Sequence, residues 1–197
     1  GIHQAHIKAA KKCNTKMFWV IDGDADLLPE FNLDHKASEY DLDCVHVWRS
    51  RNPINDLVYG YGGVKLFPKV QLLELGHELP DYTTGASFYQ PIADVSNITR
   101  FNKDPYRTWR SAFRECVKLA SSVNPNQKQK ETDERLETWC TVDVGARFGR
   151  YCLKGALEGK EYGLANKDDM EALTKINDFE WLREQFVASM KKRVTDK

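Results

Sequence analysis

The sequence predicts an α/β protein, a mixed sheet flanked by helices, followed by a mostly helical carboxyl-terminal region. Three observations carry the α/β expectation. The apolar run Met17-Phe18-Trp19-Val20-Ile21 stops abruptly at Asp22. A second run, Cys44-Val45-His46-Val47-Trp48, is rich in β-branched and aromatic side chains. From Asp104 onward, apolar residues recur at helical spacing. Short apolar runs bounded by polar clusters mark buried strands, and recurrence at three and four residues marks one-sided helices.

The segment from His3 to Cys13 reads as a helix leading into the first strand, Met17 to Ile21. A polar, acidic stretch, Glu30 to Asp43, precedes the strand at Cys44 to Trp48, whose composition suits a pleated, half-buried surface. Arg49 to Tyr61 is a loop rich in Asn, Pro and Gly, and Gly62 to Pro68 is a short strand punctuated at both ends. Lys69 to Leu75 makes a brief helix, Asp81 to Phe88 begins as a turn, and a strand is expected around Ser87 to Gln90. Asp104-Pro105 starts a helix, with a capping carboxylate and proline at the first helical position. Its buried face is Trp109, Phe113, Cys116, Val117 and Ala120, and it ends near Ser122. The polar run from Ser121 to Glu131 is an exposed hinge, and the remainder is helical, with Trp139, Phe148, Tyr151 and Trp181 as packing anchors. This organisation divides the chain into an α/β part at 1–122 and a helical extension packed on it at 123–197.

Bulk properties narrow the function classes. With 197 residues the chain can bury one good core, and 29 basic against 29 acidic residues offer no global attraction for nucleic acid or an anionic membrane. No apolar run approaches the roughly 18 residues of a membrane span, so a soluble, cytoplasmic protein without membrane partners is expected. Five cysteines without metal spacing read as free thiols. Asn97-Ile98-Thr99 matches a short glycosylation sequon to which no weight is given. The chain opens at Gly1 and runs at once into a helix and a central strand, so it reads as beginning in mid-fold.

Asp22, Asp24 and Asp26 follow the first strand at alternate positions. Such carboxylates repel unless a cation joins them, and Mg²⁺ or Mn²⁺ takes carboxylate oxygens while holding substrate phosphates through its other positions. An EF-hand would need glycine at the sixth place and an acid at the twelfth; counting from Asp22, those places hold Leu27 and Leu33. A phosphohydrolase of the haloacid dehalogenase type also carries D-x-D after an apolar strand, and stands as the enzymatic alternative.

The run Trp19-Val20-Ile21-Asp22-Gly23-Asp24-Ala25-Asp26-Leu27-Leu28-Pro29 resembles the strand and DxD motif of nucleotide-sugar glycosyltransferases of the GT-A fold. Two registers fit, Asp22 with Asp24 or Asp24 with Asp26. Tyr59 to Pro68, with Gly62, Gly63 and Lys65, is similar to the glycine-containing element that follows the DxD strand in several such enzymes. The stretch from Arg49 to Lys69 also resembles glycosyltransferase-like proteins of large tailed bacteriophages. Together these cover roughly the first 95 residues. In such enzymes the nucleoside is bound by strands preceding the DxD strand, and those strands are not found here.

The resemblance implies Mn²⁺ or Mg²⁺ on one or two of Asp22, Asp24 and Asp26, bridging a nucleoside diphosphate sugar, with His46 or His77 as a further ligand. Asp81 is the candidate base of an inverting enzyme. Asn52, Asn55 and Lys65 are candidates to hydrogen-bond sugar or phosphate, and Gly62 and Gly63 to let backbone approach the ligand. The acceptor is expected among glycans, small molecules and modified DNA, the last because Lys103, Arg107, Arg110, Arg114 and Lys118 suggest a basic strip. A non-catalytic sugar-binding or scaffold module is the remaining alternative.

Overall fold

The computed structural model describes residues 2–60, 63–75, 89–123 and 128–191. Gly62, His77 and Asp81 lie outside the described residues. Within them the protein is mixed α/β, in two compact units, Gly1–Arg100 and Phe101–Lys197. The division therefore falls before the helix that starts at Pro105, and that helix belongs with the carboxyl-terminal ones.

In the first unit, helix α1 (Ile2–Lys12) leads to β1 (Met17–Ile21) and the short β2 (Ala25–Leu27). Then come β3 (Val45–Arg51), β4 (Val58–Tyr59), β5 (Val64–Pro68), helix α2 (Lys69–Glu74) and β6 (Tyr89–Thr99). The sheet order is β1-β5-β3-β6-β2, with β4 paired to β3. β5 runs antiparallel between β1 and β3, whereas β3 and β6 are parallel. β1 and β3 thus point the same way and end at the same edge. The sixth strand is 11 residues long, well beyond the short strand expected near Ser87. Pro91 lies where β6 has a strand on one side only, the setting in which a sheet tolerates proline.

Alternation along the strands builds a core on each face. Val45, Val47 and Phe67 pack with Ala10 of α1 and Leu72 of α2. Trp48, Val64 and Leu66 face the other way, against Met17, Trp19, Phe31 and Ile92. The Trp19 and Trp48 rings lie 4.8 Å apart, and Phe31 meets both edge-on. A sheet covered on both sides needs apolar residues at successive positions, which is why the strands read as unbroken runs. Lys69 joins the helices to the sheet: its N–H donates to Lys16 O at 2.9 Å and its Nζ to Cys13 O at 2.7 Å.

The second unit contains α3 (Pro105–Ser121), α4 (Gln129–Cys140), α5 (Gly149–Ala165), α6 (Met170–Thr174), a 3₁₀ turn (Lys175–Asn177) and α7 (Phe179–Lys191). Asp104 caps α3 by accepting the Arg107 N–H at 2.8 Å, and Ser122 ends it in the left-handed region at φ 54°. Trp109, Phe113, Cys116 and Val117 are buried as the spacing requires, and Trp139 is buried on α4.

Gly155, Gly159 and Gly163 form a ridge on α5. A Cβ at these positions would lie 2.3 Å from Trp109 O, 2.3 Å from Phe113 O and 2.6 Å from Val117 O. The contacts ascend together along both helices, so α3 and α5 run parallel, backbone against backbone. Glu158, on the same helix, accepts Trp109 Nε1–H at 2.7 Å and Ser189 Oγ–H at 2.7 Å, tying α3, α5 and α7 together.

Gly159→Ala forces the two helices apart and should lower stability by about 1–3 kcal/mol. Gly23→Ala, where nothing lies within 4 Å, should change it by less than about 0.5 kcal/mol. Chemical denaturation of both variants checks the difference; equal midpoints would show that α3 and α5 do not depend on this close approach.

Candidate functional site

The site begins where β1 ends. Because Ile21 pairs with Val64, the next residue, Asp22, falls opposite Gly63. The Asp22 N–H donates to Gly63 O at 2.8 Å, and the Gly63 N–H donates back to Asp22 Oδ2 at 3.2 Å. Lys65 Nζ stands 3.8 Å from the same oxygen, its side chain 12% exposed against 42% for Asp22. Two motifs about 40 residues apart in sequence are therefore locked together by a single rung of the sheet.

Gly63 is required here on two grounds. Its φ is +87°, a left-handed value that L side chains rarely adopt, and a Cβ would fall 2.2 Å from Asn97 Oδ1. Asn97 belongs to a polar network directly beneath. Its Oδ1 accepts from Ser50 Oγ at 2.8 Å and Ser96 Oγ at 2.9 Å, and its Nδ2 donates to Thr99 Oγ1 at 3.2 Å. Ser50, Ser96 and Asn97 are all fully buried. The sequon's asparagine is thus an internal strut. Ser50 and Asn97 share a rung of the β3–β6 pair, a placement visible only once parallel register is known.

Asp24 lies within, and Asp26 just past, a tight turn in which the Ala25 N–H donates to Asp22 O at 2.9 Å. The Arg100 N–H donates to Asp24 O at 2.7 Å. The Arg100 guanidinium holds Asp26 Oδ2 at 3.0 Å from both Nε and an Nη. Repulsion among the three acids is therefore relieved in part by Lys65 at one end and Arg100 at the other. Arg100 was not identified from the sequence; nothing in the spacing links it to Asp26 until β2 pairs with β6. Of the three acids, Asp22 is the one bonded to Gly63, and Asp26 is paired with Arg100. Among the described residues, no group of three or more His, Cys, Asp or Glu side chains is gathered to hold a metal ion.

Asn52 closes the turn after β3. Its Oδ1 accepts the Ile54 and Asn55 N–H groups at 2.9 and 3.4 Å, and Asn55 Oδ1 accepts the Leu57 N–H at 3.2 Å. These bonds fix which end of each amide is nitrogen. Both Nδ2 groups are buried, with no hydrogen-bond partner among the described residues.

His46 is placed elsewhere. It pairs with Leu66, which pairs with Trp19, three residues before Asp22, roughly 10 Å of strand rise and two strands away. It is 1% exposed, with Nε2 3.1 Å from Asp41 O and Nδ1 3.0 Å from His35 Nε2. The carbonyl can only accept, so Nε2 carries hydrogen and donates to it, while Nδ1 faces the His35 ring. His46 supports the loop over Trp48 and does not join the aspartates.

In the second unit, the basic side chains of α3 meet local partners. Arg107 pairs with Asp104 and Lys118 with Glu115, at 3.4 and 2.9 Å. Arg110 lies 4.4 Å from the Phe179 ring centroid, and Arg114 Nε donates to Ile176 O at 2.7 Å. Among the described residues no helix is long and apolar enough to cross a membrane. Comparison with family models, with curated proteins and with solved structures returns no match.

Burial, and then the neighbouring His46, push the His35 pKa below its ordinary 6.5, against an opposing pull from Asp41. The unfolded chain therefore binds this proton more readily, and the contribution of His35 to stability is complete above pH 6.5 and lost as pH falls below it. Thermal midpoints measured from pH 7.5 to 5.5 should fall more steeply for the wild type than for His35→Gln; superimposable curves would contradict this.

Proposed function

We propose that the sheet unit carries out metal-dependent transfer of a sugar from a nucleoside diphosphate sugar to an acceptor hydroxyl, in the manner of a GT-A enzyme. The observation that carries the reading is the rung joining Asp22 to Gly63, with Lys65 beside it. It sets the acidic motif and the glycine motif, each of which independently resembles the family, against one another at one edge of the sheet.

The residues present suit a hard divalent ion. Mg²⁺ is commonly held by one or two carboxylates, with substrate phosphates and water filling the remaining positions, so a pair is enough. Asp22 and Asp24 are the proposed ligands of Mn²⁺ or Mg²⁺, and Asp26 remains with Arg100. When bound, the ion neutralises charge on the departing nucleoside diphosphate. Lys65 lies close enough to exchange part of its attraction for Asp22 against a phosphate oxygen. The bare Gly63 backbone lets a ligand approach without displacing Asn97. The Nδ2 groups of Asn52 and Asn55 are donors in want of acceptors, which phosphate or sugar oxygens supply. Asp81, the proposed base, belongs to a segment outside the described residues. The acceptor is a hydroxyl of a glycan, of a small molecule or of a modified DNA base.

Calorimetry with Mn²⁺ across a panel of nucleoside diphosphate sugars tests the reading. Binding should require metal and weaken at least about tenfold, roughly 1.4 kcal/mol, in Asp22→Asn and Asp24→Asn. Slow donor hydrolysis should disappear with binding. Metal-independent binding indifferent to both substitutions would support a sugar-binding module instead, and phosphate release from a simple phosphomonoester would support the phosphohydrolase.

A further inference from the structure

The helical unit carries a set of arginines that sugar transfer does not use. Of its described arginines, Arg107 and Arg135 pair with Asp104 and Glu131, and Arg114 bonds to Ile176 O and Asn177 Oδ1. Arg110, Arg147, Arg150 and Arg183 have no carboxylate partner among the described residues, and each lies over an aromatic ring instead. In a chain with as many acids as bases, four such cations in one unit make a local positive patch.

The four are joined through the rings beneath them. Arg183 stands 4.5 Å from the Tyr106 centroid, and Arg110 stands 5.5 Å from the same ring and 4.4 Å from Phe179. Tyr106 meets Phe186 at 5.5 Å, and Phe186 meets Tyr151 at 6.4 Å, the ring that carries Arg150 at 4.7 Å. Tyr151 in turn meets Phe148 at 6.3 Å, and Phe148 carries Arg147 at 5.2 Å. Residues of α3, α5, α7 and the loop before α5 therefore form one continuous band of rings and guanidiniums. Arg147, Arg150 and Arg183 are exposed, Arg110 is half-buried, and Phe179 is 41% exposed, so the band opens to solvent. Phe148 holds a left-handed φ of 61° that bulky residues resist, so that end of the band is set in place against backbone strain.

We infer that this band binds single-stranded nucleic acid. A guanidinium lying over a ring keeps N–H donors at its edge for phosphate oxygens. Aromatic rings interleaved with arginines are also surfaces on which unpaired bases stack whatever their sequence. Duplex DNA keeps its bases inside, and an anionic bilayer offers phosphates with no bases to stack. Of these polyanions only the single strand uses both halves of the band. The inference is independent of the sugar-transfer reading, because the band lies wholly in the helical unit and needs neither metal nor donor.

The test is fluorescence anisotropy of a labelled oligothymidylate of about 15 nucleotides titrated with the full chain, without metal or nucleotide sugar. Affinity should fall with salt, with a slope of log affinity on log salt of about −3, since each arginine on a single strand contributes about 0.7. Arg150→Gln and Arg183→Gln should each weaken binding at least about threefold and flatten the slope by about 0.7. Arg183→Lys should restore the slope without restoring the affinity, because an ammonium does not stack as a guanidinium does. Lys130→Gln, at an exposed cation of α4 outside the band, should leave both unchanged. No binding at about 50 mM salt, binding indifferent to Arg150→Gln and Arg183→Gln, or a preference for duplex DNA or phosphatidylserine vesicles over the single strand would overturn the proposal.

Discussion

The antiparallel pairing of β1 with β5 is the constraint on which the candidate site depends. Five consecutive register pairs, from Met17–Pro68 to Ile21–Val64, leave Asp22 nowhere to go but opposite Gly63. The pairing is stabilised far from the site. Phe18 and Phe67 pack against α1 on one face, and Trp19, Trp48 and Phe31 pack on the other. A slip of one residue would send every side chain of β1 to the wrong face, so two aromatic clusters fix the position of one carboxylate.

Beneath that rung the sheet carries an unusual investment in buried polar groups. Ser50, Ser96, Asn97 and Thr99 satisfy one another where an apolar core would be simpler. The network fills the space that the missing Gly63 side chain leaves, and holds the glycine's backbone at a left-handed angle that other residues resist. Above it, Lys65 and Arg100 each take one acid of the cluster. The edge is therefore nearly balanced in charge as it stands, and an incoming diphosphate with its cation would meet both signs.

Much of this was legible in the sequence, for physical reasons. Strands covered on two faces announce themselves as runs such as Met17 to Ile21, and Asp104-Pro105 announces a helix start through its capping chemistry. The full length of β6 was not legible, because Pro91 and the polar residues after it argue against a strand until one-sided pairing is known. The glycine ridge of α5 was equally hidden. Glycine weakens an isolated helix, and only the parallel partner α3 explains the repeat at every fourth residue. Among site residues, Asp22 and Gly63 were found by motif, whereas Arg100 and Asn97 depend on register between distant strands. His46 was a candidate ligand weighed against a packed histidine, and its distance along the strand from Asp22, which decides for packing, depends on strand register.

In the proposed transfer a metal-bound diphosphate sits at the Asp22–Gly63 rung. Paramagnetic line broadening tests it most directly: Mn²⁺ is titrated with a nucleoside diphosphate into isotopically labelled protein, and the amide resonances are followed. Selective loss of signal is expected at Asp22, Asp24, Gly63 and Lys65, reversed by Mg²⁺ and abolished in Asp22→Asn. Broadening centred on any other part of the chain, or spread evenly over its surface acids, would contradict it.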